Sequence, residues 1–387
     1  MRKLKIGIVG FGNMGHHHYD MIRKGIIPNM EVVAVCDINP KKLEYAQELM
    51  PGIPCFEKAE DLFKSGLAEA ITIATPHYFH PPIAVKAFEY GLHVLSEKPA
   101  GVYSRQVNEM IAASEKSGKL LAVNFCLRGL PVYQTLRNLV KSGELGHIKR
   151  ITWIATQWYR PQAYHDSAGW RSSWATEGGG VLVNQCPHQL DLWQWIFGCP
   201  DEILSDISFG KYHDIEVDDE VSALFRYKNG TIGAFLTGTS ETPGTNRLEI
   251  SCDMGRVVLE DGKITFDKLE VSERAWNDAH NDEQPPCNTI EVPLVEGEAH
   301  HSHVFIDFAN AVLEGKKACT LSPGADSIHE ALIANALYYS AWKGNVWVDL
   351  NDFPHDDFYD ELMKRVATSK PKEGVDDRFY VTGGTTV

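Results

Sequence analysis

The chain is 387 residues long, carries a net charge of −15, and is 43% hydrophobic and 23% charged. That length suffices for two domains with complete cores, and the balance is that of an ordinary globular protein. The negative charge argues against nucleic acid or an anionic membrane as partner, since both call for clustered Lys and Arg, and no run approaches the ~18 apolar residues of a membrane span.

The eight cysteines are scattered with no C-x-x-C pair. They read as reduced thiols of a cytoplasmic protein, with neither a disulfide framework nor a zinc site. Met1-Arg2-Lys3 leads straight into a strand with no signal-like apolar region.

In chain order, Lys5-Ile6-Gly7-Ile8-Val9 reads as a buried strand. Gly10-Phe11-Gly12-Asn13-Met14-Gly15 then fits G-x-G-x-x-G and opens a helix. The first glycine permits a tight turn, the second lets backbone approach a pyrophosphate, and the third lets helix pack closely on strand. The helix N-terminus offers free N–H groups and partial positive charge to phosphates. His16, His17 and His18 follow. Adjacent helix residues diverge and cannot chelate one ion together, so the triplet is read as helix surface near the cofactor. The next strand, 31–37, ends in Asp37. Its register after the glycines selects it for the ribose hydroxyls, although aspartate is also a common strand-end residue. Its charge repels a 2′-phosphate and favours NAD over NADP, a preference softened by Lys41 and Lys42.

Predicted helices at 39–50, 59–65, 82–90 and 104–117 alternate with strands at 69–75, 93–96 and 120–124. Such alternation implies a doubly wound parallel sheet, whose ligands lie beyond the carboxyl ends of its strands. At those ends stand the glycine turn, Asp37, Thr75-Pro76 with His80 close behind, Glu97-Lys98-Pro99 and Asn124, the expected cofactor contacts. A lysine ending a buried strand is costly unless paired or functional. Glu97 is the candidate ion-pair partner of Lys98. The functional alternative is an ammonium at the cofactor–substrate junction, its pKa lowered by desolvation.

Past residue 126 the pattern changes, dividing the chain into 1–126 and 127–387. A helix at 131–142 precedes strand-like runs at 148–157, 203–209, 220–227, 231–239, 247–252 and 256–260, with hairpin signals at Asn229-Gly230 and Asp261-Gly262. This predicts an α+β half around a mainly antiparallel sheet. The loop 158–174 carries Trp158-Tyr159-Arg160, Tyr164, Trp170-Arg171 and Trp174. Aromatic faces suit the C–H surfaces of a sugar and arginines its oxygens, while the tryptophans equally suit an interdomain core. After Gly178-Gly179-Gly180, which allow a close backbone approach to a ligand, Asn184, His188 and Asp191 fall on one helical face, with Pro187 imposing a kink or a late start. His188 is the candidate acid–base group and Asp191 its structural partner. Helices at 303–314 and 325–342 follow. His300, His301 and His303 are read as exposed or interface residues, not metal ligands. The tail from about 368 is polar, with Arg378-Phe379-Tyr380-Val381 as a possible docking segment.

Residues 5–15, Ala74-Thr75-Pro76 with His80, Glu97-Lys98-Pro99, and Gly178-Gly179-Gly180 through His188-Gln189-Leu190-Asp191 together resemble the Gfo/Idh/MocA oxidoreductase family over roughly residues 1–345. The resemblance implies an N-terminal Rossmann domain holding a nicotinamide cofactor, and a C-terminal domain whose open sheet builds homodimers or homotetramers. It also implies sugar, polyol or related hydroxyl substrates. Lys98 resembles the family's catalytic lysine, His188 its catalytic histidine, and Glu97 the acid supporting the nicotinamide side. One departure matters: inositol-dehydrogenase-like members usually have aspartate where this chain has Asn184. An amide cannot ionise, so Asn184 orients by hydrogen bonds, and Lys98 and His188 share the acid–base work, or Tyr164 or another loop residue joins them.

The leading expectation is an NAD-dependent dehydrogenase acting on a carbohydrate-like secondary alcohol. Lys98, His188 and Asn184 are its catalytic group, and Tyr159, Arg160, Tyr164, Trp170 and Arg171 are further substrate contacts. Two rivals keep the cofactor: glycoside cleavage by transient oxidation, elimination and reduction, and a non-catalytic NAD-dependent sensor. The presence of both Lys98 and His188 argues against the sensor.

Overall fold

The computed structural model describes residues 2–279, 282–297 and 302–372. Six short strands rich in β-branched residues form the first sheet: β1 (Leu4–Val9), β2 (Met30–Cys36), β3 (Cys55–Phe56), β4 (Ala70–Ile73), β5 (His93–Ser96) and β6 (Leu121–Val123). Between them run α1 (Asn13–Arg23), α2 (Pro40–Leu49), α3 (Ala59–Lys64), α4 (His80–Glu89) and α5 (Ser104–Ser117). The strand order is β3-β2-β1-β4-β5-β6, all parallel. Helices cover both faces, which is why β4 is buried at every residue and reads as an unbroken apolar run. The order reverses between β1 and β4, and this reversal opens a crevice at the carboxyl ends of the strands. The expected doubly wound Rossmann sheet is present, with element ends within about two residues of expectation.

The second half begins with α6 (Pro131–Lys141), β7 (Ile148–Ala155), the short α7 (Gln162–His165) and α8 (Pro187–Phe197). Strands β8 (Glu202–Phe209), β9 (Asp218–Arg226), β10 (Ile232–Gly238), β11 (Asn246–Cys252), β12 (Gly255–Glu260) and β13 (Lys263–Leu269) follow, then α9 (Glu273–Asp278) and β14 (Cys287–Glu291). The chain closes with α10 (His303–Leu313), α11 (Ser327–Trp342), β15 (Val348–Asp349) and α12 (His355–Thr368). The nine-stranded sheet runs β14-β13-β12-β11-β7-β10-β9-β8-β15 and is antiparallel except for β7 beside β10. The six expected runs are all strands. Strand β14 escaped sequence reading because all five of its residues are exposed and show no alternation. Helix α12 was not anticipated: it ends where the polar tail was expected to begin, and only Phe358 and Leu362 along it are buried.

One face of this sheet is covered. Val221, Ala223 and Phe225 of β9 alternate inward with Trp153 and Phe235 onto Trp193 of α8. Its other face leaves Leu224, Ile232 and Leu236 exposed. The two halves are interlocked by late elements. Val304, Phe305 and Phe308 of α10 join Leu4 and Ile6 in the core under the first sheet. Asn335 of α11 accepts from Ser104 N (2.8 Å) and donates to Val102 O (2.9 Å). The division at residue 126 is therefore linear in sequence, whereas in space α10 belongs with the first sheet. Among the described residues no helix is long and apolar enough to cross a membrane, and the eight cysteines form no disulfide.

Candidate functional site

The glycine turn separates into two kinds of demand. Gly10 lies at φ +92°, and a Cβ there would stand 2.5 Å from Ala74 O; a Cβ on Gly15 would stand 1.9 Å from Gly10 O. Both are required by the protein's own packing. A Cβ on Gly12 would meet nothing nearer than Lys42 Nζ at 3.8 Å. Gly12 thus faces an open cradle at the N-terminus of α1, with a lysine ammonium beside it. The first turn of α1 carries no acid, so its N–H groups and positive dipole end are available to phosphate.

Asp37 is buried at the end of β2. Its Oδ2 accepts from Phe11 N (2.7 Å) and its Oδ1 from Asn39 N (2.8 Å), which ties the glycine turn to the strand end and leaves further lone pairs on each oxygen. Phe11 contributes backbone only, its ring being buried against Tyr19 and Tyr45. Met14 is partly buried on α1. Around the crevice, Asn13 Oδ1, Thr75 Oγ1 and Asn124 Oδ1 are buried without a hydrogen-bond partner. Buried polar atoms are normally paired, so this trio, the open cradle and Asp37 fit a dinucleotide.

Pro76 follows Thr75 at the end of β4. His80 was expected among the cofactor contacts. Its two ring nitrogens instead bond Thr75 O (2.7 Å) and Pro99 O (2.9 Å), so it braces the loops after β4 and β5 from behind. The surface reading of the histidine triplet fails at His18. That ring is fully buried, with Nε2 on Glu97 Oε1 (2.8 Å), Nδ1 by Thr72 Oγ1 (3.2 Å), and Phe305 against its face. A helix two residues from a glycine turn must bury one side on the sheet, and position 18 faces that side. Glu97 also accepts from Asn124 Nδ2 (2.7 Å). Burial pushes its pKa up, but the bonds from His18 and Asn124 outweigh burial and hold it down at about 2.

Glu97 is thus engaged with His18 and Asn124, and the expected Glu97–Lys98 ion pair is not formed. Lys98 Nζ donates instead to Asn184 O (2.7 Å) from the second half of the chain. Burial lowers the Lys98 pKa against the raising charge of Glu97.

Asn184 lies in a turn, because α8 starts late, at Pro187. The shared helical face therefore does not extend back to Asn184. Nor is Asp191 the partner of His188: its carboxylate takes both Nε (2.8 Å) and Nη2 (2.6 Å) of Arg128, which also reaches Asp326 (2.8 Å). Arg128 was missed. Its only signal was a lone arginine in the apolar run Phe125-Cys126-Leu127. His188 lies 3.8 Å through Nε2 from Cys126 Sγ and edge-on to Phe125. The triple glycine also serves packing. Cβ atoms at Gly178, Gly179 and Gly180 would meet Val102 at 2.5 Å, the Tyr338 hydroxyl at 2.3 Å and Asp218 O at 2.0 Å, so the close approach there is to protein.

The aromatic loop folds over this point. Asn184 Nδ2 donates to Glu177 Oε1 and lies 3.3 Å from the Tyr164 hydroxyl. Arg171 Nη1 donates to the same hydroxyl (2.6 Å). The guanidinium groups of Arg160 and Arg171 flank the Tyr164 ring at 5.1 and 4.3 Å, and Trp170 meets Arg171 at 4.6 Å and His77 edge-on. Tyr159 is largely exposed and contributes only its carbonyl, to Arg160. Trp158 and Trp174 are buried, Trp174 against Tyr338 and Trp342. Glu177 was also missed, a single acid before three glycines being a weak signal. It is buried, accepts from Ser172 N (2.5 Å) as well as Asn184, and burial pushes its pKa up to about 7 despite Arg171 nearby.

Among the described residues no group of three or more His, Cys, Asp or Glu could hold a metal ion. His300, His301 and residues 378–381 lie outside the described residues.

Residues 4–125 match the model of the oxidoreductase family with NAD-binding Rossmann fold, and residues 133–258 that of the GFO/IDH/MocA C-terminal domain. Inositol 2-dehydrogenase of Corynebacterium glutamicum strain R is 34% identical over 51% of this chain and 55% of its own length. Trans-1,2-dihydrobenzene-1,2-diol dehydrogenase of Mus musculus is 30% identical over 62% of this chain and 71% of its own. The match thus spans little more than half the length of the Corynebacterium glutamicum inositol 2-dehydrogenases and of the rhizopine catabolism protein MocA. Among solved structures, the WlbA dehydrogenase from Bordetella pertussis, in complex with NADH and UDP-GlcNAcA, superposes with a TM-score of 0.74 at 25% identity over 90% of this chain and 99% of its own.

Proposed function

The chain belongs to the Gfo/Idh/MocA family of NAD-binding oxidoreductases, and from that premise we propose that it oxidises or reduces a secondary hydroxyl of a sugar, polyol or glycoside, with NAD in preference to NADP. The observation that carries the reading is Lys98: a partly buried lysine at the carboxyl end of β5, held by the Asn184 carbonyl at 2.7 Å beneath the arginine–aromatic loop. The relatives named dehydrogenases of inositol and of a dihydrodiol, and the neighbour solved with a sugar nucleotide, support a hydroxyl-bearing ring as substrate.

When bound, NAD would supply the hydride acceptor in oxidation, and its reduced form NADH the hydride donor in reduction. The open side of Gly12, the N-terminus of α1 and Lys42 would hold its phosphates, Asp37 its ribose hydroxyls, and Thr75 and Asn124 the end nearer the chemistry. Lys98, with its pKa lowered by burial, would in its neutral amine form take the hydroxyl proton and return it in the reverse direction, His188 sharing the acid–base work. Asn184 positions Lys98 through its carbonyl and presents its amide to Glu177 and Tyr164.

Nicotinamide absorbance with NAD and NADP against inositols, free sugars and glycosides tests this directly. Lys98→Met should lower kcat by about 10²–10⁴-fold, the usual worth of a general acid–base group, while NADH still quenches tryptophan fluorescence. Unchanged kcat in Lys98→Met would remove the lysine from the mechanism. Glycoside consumed without net NADH would move the reading to transient oxidation.

We also infer a homo-oligomer built on the uncovered sheet face, where Leu224, Ile232 and Leu236 are exposed on neighbouring strands.

A further inference from the structure

Three cations meet at the candidate site of a chain whose net charge is −15. The charges of Arg171 and Arg160 both bear on Lys98. Among the described residues neither Arg160 nor Arg171 has a carboxylate within the 4.0 Å of an ion pair, and the Nε of each is buried without a hydrogen-bond partner. Arg160 is only 6% exposed. Among the described residues the one side-chain hydrogen bond of Arg160 is to the Tyr159 carbonyl, and that of Arg171 is to the Tyr164 hydroxyl. Arg128, equally buried, shows the ordinary solution, with carboxylates of Asp191 and Asp326 against it. Glu177, an acid on which the charge of Arg171 bears, has both oxygens already taken by Ser172 N and Asn184 Nδ2. Desolvating guanidinium groups without a counter-charge is costly, and the arginine fork matches the planar oxygens of a carboxylate or those of a phosphate.

We propose that the substrate is an anionic sugar, its carboxylate or phosphate bound by Arg160 and Arg171, while its reacting hydroxyl faces Lys98. The proposal rests on the site assignment above and narrows it from carbohydrates in general to acidic ones.

The test is calorimetric binding to the NADH-loaded full chain. Uronates and aldonates form one arm, sugar phosphates a second, and their neutral parent sugars with myo-inositol the control; kcat/KM is measured on the same panel. At least one anion should bind about tenfold more tightly than its neutral parent, less so at high salt, and the arm it belongs to names the anion. Arg171→Gln and Arg160→Gln should bring the anion-to-neutral ratio towards one, and Arg171→Lys, which keeps the charge but not the fork, should recover part of it. Thermal melts confirm that each variant is folded. The proposal is overturned if no anion in either arm outbinds its parent, or if the preference survives both glutamine variants. Arginine-dependent binding of an anion without turnover of any sugar would sink the dehydrogenase reading and leave this one standing. Turnover of neutral polyols with acids ignored would do the reverse.

Discussion

Glu177 supplies a carboxyl beside Asn184, where the family resemblance implies an ionisable residue. It bonds the Asn184 amide directly, and Asn184 in turn holds Lys98. Burial pushes its pKa from 4.5 to about 7; Asp218 adds to the rise, while Arg171, Ser172 N and Asn184 oppose it. The folded state therefore keeps a proton that the unfolded chain loses earlier. The stability from this group is full below about 4.5 and declines as pH rises through about 7. If the ionised form sets the site, kcat/KM carries an inflection near 7. We expect Glu177→Gln to flatten that inflection and to reduce the loss of Tm across the same window. An unmoved pH profile would leave Glu177 a packing residue only. The local sequence around Glu177 and Arg128 carried only weak signals of either role. Lys98 and His188, by contrast, stand out as candidates because each sits in a short motif with its own chemistry.

At the scale of elements, the strand–turn–helix of β1 and α1 makes a sharp distinction between glycines. Gly12→Val should fold with an unchanged Tm but lose NADH affinity by tenfold or more, since its side chain would enter the open cradle. Gly15→Val should lose stability by about 1–3 kcal/mol or more, because its Cβ would collide with Gly10 O at 1.9 Å. Fluorescence titration and thermal melts read the two effects separately; equal stability losses would deny that Gly12 faces free space. Helix α8 shows where element reasoning erred. Spacing arguments assume one continuous helix, but proline is best accommodated at a helix start. With Pro187 in that place, Asn184 belongs to the preceding turn and reaches Lys98 through its backbone.

The whole molecule joins a crevice on one sheet to a loop hung from the other, and α10 and α11 lock the two together across the chain. Its nine-stranded sheet keeps one face uncovered. Leu224 pairs with Ala234 of β10 and Leu204 of β8, and Leu236 with Ser222 of β9 and Ile154 of β7, so these residues share that face. Light scattering should return a dimer or larger assembly, and Leu224→Glu with Leu236→Glu should yield folded monomers. A monomeric wild-type chain would mean the face is not a self-interface.

Periodicity and short motifs carried the Rossmann sheet, the glycine turn, Asp37 and the mainly antiparallel second sheet, because each depends on residues a few positions apart. The pairings inside the site depend on no such pattern. His18 meets Glu97 across 79 residues, Arg128 meets Asp191 across 63, and Lys98 meets Asn184 across 86. A buried charge takes whichever partner the strand order and helix packing bring within reach. Tertiary structure alone therefore decided that Glu97 pairs away from Lys98, that Asp191 is structural, and that two arginines bear on Lys98 with no acid of their own among the described residues.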